Sequence, residues 1–101
     1  MTTSPPFAFD DEHHPIYTVG QVASMLGIQP AFIRRLDTEN VIQPARSGGQ
    51  RRYTRAEIKQ VSTVSRMAGE GLTLAGIRRI LELEAQILDL NRRLDLLPPT
   101  V

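Results

Sequence analysis

A mainly α-helical fold is predicted for this 101-residue chain: a helix-turn-helix, a short two-stranded wing, a following helix pair and a long C-terminal helix. Three observations predict it. Apolar residues recur at helical spacing through most of the length, a Ser47-Gly48-Gly49 turn beside a run of arginines interrupts them, and a repeat of apolar residues 3 and 4 apart runs towards Pro98-Pro99. At 41% hydrophobic, a chain of this length buries one modest core, so one globular domain with appendages is expected.

The first 15 residues carry Pro5, Pro6 and Pro15 with Asp10, Asp11 and Glu12, the composition of a flexible acidic tail. Thr18 suits the N-cap of a short helix whose apolar positions are Val19, Val22, Ala23 and Leu26, with Gly27 as its left-handed stop. Pro30 suits the first turn of a second helix through Phe32, Ile33 and Leu36. Asn40 tolerates the left-handed conformation and is expected to end it. Two short helices joined by Gly27-Ile28-Gln29-Pro30 make a helix-turn-helix. Val41-Ile42 is expected to pair with Arg52-Tyr53 across a loop tipped by Ser47-Gly48-Gly49, the wing. Thr54 with Glu57 spells a capping box for the next helix, where Ile58, Val61, Val64 and Ala68 form a narrow stripe before Gly69 and Gly71. Thr73 starts the last helix, which is expected to reach about Leu97.

Net charge is only +1, but it is unevenly spread. Residues 1–17 carry three acids and no base. Residues 34–59 hold Arg34, Arg35, Arg46, Arg51, Arg52, Arg55 and Lys59 against Asp37, Glu39 and Glu57, a local excess of four. Arginines on a helix and on a hairpin together are the electrostatic footprint of a nucleic-acid partner, whereas a lone charge run reads as a solvated face.

In the last helix Ile80, Leu83, Ile87, Leu90, Leu94 and Leu97 are spaced 3, 4, 3, 4 and 3, the a/d seam of a coiled coil. Leu81 and Leu88 broaden that face, which is also how a helix packing on its own domain would look. Self-association as a homodimer is the expectation, with the contact extended to Leu74, Ile77 and Leu81, because so small a core cannot cover so long a stripe.

The run IRRLDTENVIQPARSGGQRRYTRAEIKQV followed by GLTLAGIRRILELE resembles the MerR-type transcription regulators over about residues 16–95, and GLTLAGIRRILELE looks most like their heat-shock-repressor branch. The resemblance implies a winged helix-turn-helix DNA-binding domain (16–79) and a C-terminal dimerisation helix (80–97), whose pairing is antiparallel; composition adds the flexible acidic tail (1–15) before them and a disordered end (98–101) after them. Arg34 matches the recognition-helix arginine, and Arg51, Arg52 and Tyr53 match the wing. Phe32 stands where the family has a hydroxyl residue, Arg35 and Leu36 where it has aromatics, and Asn40 where it has glycine. A chaperone-type protein co-regulator is a further implication of the branch.

The expected chemistry follows from groove geometry. Arg34 or Arg35 on the recognition helix is the candidate for a bidentate contact to guanine in the major groove, with Arg46, Arg51, Arg52 and Arg55 on phosphates or the adjoining minor groove. The competing reading of each arginine is a surface ion pair, foremost Arg34 with Asp37 and Arg35 with Glu39. Phe32, Ile33, Leu36 and Tyr53 read as core. The chain has no cysteine, which removes disulfides, thiolate metal sites and thiol nucleophiles. Adjacent His13 and His14 in a flexible tail do not preorganise a metal site, and Gly48-Gly49 lacks the lysine and helix of a phosphate loop, so no enzyme, metal or cofactor is expected. Nor is a signal or membrane segment, and the expected location is cytoplasmic, at the nucleoid. The leading expectation is a dimeric, sequence-specific repressor on an inverted-repeat operator in double-stranded DNA. Two others stay open: an architectural DNA-binding protein, and a protein-interaction module for a chaperone or a sigma-factor regulator.

Overall fold

Six elements follow one another in a computed structural model that describes residues 11–99: α1 (Val19–Leu26), α2 (Pro30–Thr38), β1 (Ala45–Ser47), β2 (Gln50–Arg52), α3 (Arg55–Gly69) and α4 (Leu74–Leu96). The greater part of the expected acidic tail, Asp10 included, and the end beyond Pro99 lie outside the described residues. Asp11 to His14 form a turn, closed by the His14 N–H on the Asp11 carbonyl and tied to the start of α3 by the Ala56 N–H on the Glu12 carbonyl.

Local chemistry explains the helix boundaries. Thr18 and Gln21 cap α1 reciprocally, as Thr54 and Glu57 cap α3, so that backbone donors left over at each start are satisfied. Gly27 ends α1 at φ 67°, and Asn40, just past α2, takes φ 59° in the position expected of it. One stripe from each helix then meets in a shared core of Val22, Ala23, Ile33, Leu36, Ile58, Val61, Val64, Leu74 and Ile77, closed by Ile42 and Tyr53.

The wing differs from the expected pairing. Its strands are Ala45–Ser47 and Gln50–Arg52, in the register Ala45 to Arg52, Arg46 to Arg51 and Ser47 to Gln50. Gly48 and Gly49, at φ 61° and 83°, make a two-residue turn of the primed type, which pairs the residues immediately flanking it. Val41 and Ile42 are used elsewhere: both amides donate to the Leu36 carbonyl, and Ile42 enters the core. Tyr53 pairs instead with Tyr17 through reciprocal backbone bonds of 2.7 and 3.0 Å, which anchor the base of the wing to the segment leading into α1.

α4 divides its apolar residues between two sides. Leu74 and Ile77 are buried in the core, so these two serve the domain's own interior rather than extending a seam with a second copy, while Leu81 packs against the core half-buried. On a wheel of about 3.6 residues per turn, the stripe from Ile80 to Leu97 is centred roughly 140° from that side. From Glu82 to Leu96 every residue is exposed, including Leu83, Ile87, Leu90 and Leu94. The helix runs unbroken across residues 79 and 80, and Arg78 Nη1 donates to the Glu39 carbonyl (3.4 Å), linking α4 to the end of α2. Among the described residues no helix is long and apolar enough to cross a membrane.

Candidate nucleic-acid interface

α2 turns Ile33 and Leu36 inward and packs Phe32 against the core, which leaves Ala31, Arg34, Arg35 and Thr38 facing out. The small Ala31 and Thr38 lie on either side of Arg34 and leave its guanidinium room to project. The Thr38 hydroxyl donates to the Arg34 carbonyl (3.1 Å), which keeps it against the helix. Arg35 is turned along the helix to Glu39, its Nε donating at 2.7 Å, so the expected i,i+4 ion pair is present at this position.

The hairpin places its arginines on two faces. Residues opposite each other in an antiparallel pair share a face, so Arg46 and Arg51 stand together, while Arg52 stands with Ala45 on the other. Arg46 is exposed, with Nη1 reaching the Gly49 carbonyl at 3.5 Å, and Arg55 opens α3 half-buried. Arg51 leans onto α2, where its Nε donates to the Asp37 carboxylate. That partner is not the one expected for Asp37, which was weighed against Arg34 on its own helix.

Between α2, the wing and the start of α1 lies an open groove of about 410 Å³. Arg34, Asp37 and Thr38 line one wall, Gln50, Arg51 and Tyr53 the other, and Thr18 and Val19 close the end. Arg34 and Arg51 therefore reach one groove from two elements, whereas Arg35, Arg46, Arg52 and Arg55 do not line it. Thr18, Thr38 and Gln50 were not expected there. No local signal marks them, because only the folded arrangement of α1, α2 and wing brings them together.

Tyr53 forms the floor. Its hydroxyl titrates above the ordinary tyrosine range because of burial first, then the Asp37 and Glu57 carboxylates, with Arg51 and Arg34 acting in the opposite direction. The folded chain thus keeps a proton that the unfolded chain releases, so this contribution to stability is complete below about pH 10 and is lost as pH rises further. Melting temperatures recorded from about pH 9 to about pH 11 should fall more steeply for the wild type than for Tyr53→Phe. Equal slopes would contradict the assignment.

The sequence matches the family of MerR helix-turn-helix regulatory proteins over residues 17–84, two thirds of its length and all of the groove-forming elements. This chain belongs to the MerR family. A relative described as putative heat shock protein HspR, from Streptomyces coelicolor, is 36% identical over 84 residues, which cover 81% of this chain and 56% of the relative. The chain thus spans about half the length of that protein. The fold is also that of HiNmlR, a MerR family regulator lacking the sensor domain, solved bound to promoter DNA, with a TM-score of 0.61 at 24% identity over 78% of each chain.

Membership makes residues 17–84 a MerR-type helix-turn-helix regulatory unit. Among the described residues no three His, Asp or Glu side chains gather into a metal site. Two departures from the MerR pattern acquire a physical meaning. Leu36 is buried, 1% exposed, so leucine in place of an aromatic changes core packing and removes nothing from the outer face. Arg35 is the departure that faces outward.

Proposed function

We propose that this MerR-family protein is a dimeric, sequence-specific repressor that occupies an inverted-repeat operator at the nucleoid. The observation that carries this reading is the convergence of Arg34 and Arg51 on one groove beside an outward-facing α2. Arg34, flanked by small side chains, suits bidentate recognition of a guanine edge, and Arg51 with the other wing arginines suits phosphate. Dimerisation is supported by the uncovered stripe of Leu83, Ile87, Leu90 and Leu94 on α4. The promoter-bound state of HiNmlR supports the same use of the fold here. Similarity to a protein named as a heat shock protein supports a protein co-regulator of chaperone type.

Two-fold protein symmetry requires a two-fold site. Duplexes selected by the purified protein from a random pool should carry an inverted repeat and should bind, in fluorescence titration, at least ~10³-fold more tightly than random duplex. Affinity should fall steeply with salt. Equal affinity for random duplex would replace the repressor reading with an architectural one.

A further inference from the structure

We propose that Asp37 is a positioning residue for DNA binding, an acid on the binding face that holds Arg51, and with it the wing, at a set angle to the recognition helix. The inference rests on the DNA-binding reading above and deepens it. The wing is a narrow hairpin whose backbone is fixed to the body at its base, by the Tyr17 to Tyr53 pair. Further out, the tie to α2 is the Arg51 Nε on the Asp37 carboxylate, with Asp37 itself only 18% exposed and Arg51 34%. A pair this well covered is less screened by salt than a surface pair, so it is suited to hold geometry.

The cross-strand register gives the carboxylate a second task. Arg46 stands directly opposite Arg51 on the same face of the hairpin, and like charges so placed repel. The Asp37 carboxylate offsets that repulsion before DNA arrives. Because Nε is the atom engaged with Asp37, the guanidinium of Arg51, which lines the groove that Arg34 also lines, keeps both Nη groups as donors for a further partner. Arg51 is thus ordered in advance, and the entropy of fixing it is not charged to the binding step.

The sign of the effect makes the proposal testable. Removing a negative charge beside a polyanion ordinarily tightens binding, whereas loss of a positioning carboxylate weakens it. On a duplex selected by the wild type, Asp37→Asn should bind roughly three- to ten-fold more weakly, the scale of ordering one or two long side chains. In an Arg51→Ala background the same substitution should cost nothing further, because Asp37 acts through Arg51. Unchanged or tighter binding by Asp37→Asn overturns the proposal, and so does an equal loss in both backgrounds, which a general structural defect would give. Asparagine keeps the shape of the side chain, and circular dichroism checks that the helices persist. Should they not, Arg51→Lys carries the test: it keeps the charge without the Nε donor, should lose a similar factor, and at wild-type affinity overturns the clamp. Arg34→Ala separates the two levels. If it abolishes binding while Asp37→Asn does not matter, the clamp alone fails; if neither matters, the DNA-binding reading fails with it.

Discussion

Replacing Arg34, Arg51 and Arg52 together by alanine is expected to abolish operator binding while leaving the fold in place. A base-reading arginine contributes about 1–3 kcal/mol, and charge-assisted bonds to phosphate are of similar size, so the triple variant should bind at least ~10³-fold more weakly. Arg34 and Arg51, which share the groove, should carry the larger part of this, and Arg52 on the opposite face of the hairpin the smaller. The two losses also differ in kind. Removing Arg34 should relax discrimination at one base pair of each half-site, whereas removing each phosphate contact should lower the slope of log affinity against log salt by about 1. None of the three side chains belongs to the core, so helical circular dichroism should persist. Fluorescence titration within threefold of the wild type would remove this face of the protein from DNA binding.

The second large effect concerns α4. A variant with Leu83→Gln, Leu90→Gln and Leu94→Gln should be a monomer by light scattering at concentrations where the wild type is a dimer. Glutamine is nearly as good a helix former as leucine, so the helix itself survives, while each leucine forfeits about 1.5–3 kcal/mol of burial against a second copy. Losing bivalent engagement, the monomer should bind the inverted repeat about 10²- to 10⁴-fold more weakly, with little change on an isolated half-site. An unchanged dimer mass would move the interface away from this helix. Because Leu74 and Ile77 lie in the domain core, these substitutions probe association without unfolding the winged unit.

The helices were legible in the sequence because their signals are local. Thr18, Thr54 with Glu57, Gly27 and Asn40 each act within a few residues of where they stand, and the structure uses every one of them as expected, with Gln21 completing the cap at Thr18. Features set by tertiary contacts were less legible. Val41 and Ile42 have the composition of a strand, yet a two-residue turn dictates its own flanks, and these two residues cover the end of α2 instead. Periodicity shows that α4 has apolar residues around much of its girth. It does not show which neighbour each side meets, and Leu74 and Ile77, expected at a seam between two copies, lie in the domain's own core. In the candidate site, the outward position of Arg34 follows from helix phase alone. The Arg51 to Asp37 contact joins residues 14 apart across a chain reversal, and no short-range rule pairs them.

Gly48 and Gly49 end the hairpin in bare peptide groups. Whatever the tip meets, it meets without side chains, so it can sense clearance but has no vocabulary with which to tell one base from another. On the proposed reading, a blunt feeler of this kind would gauge the width of a cleft and leave its lettering to α2.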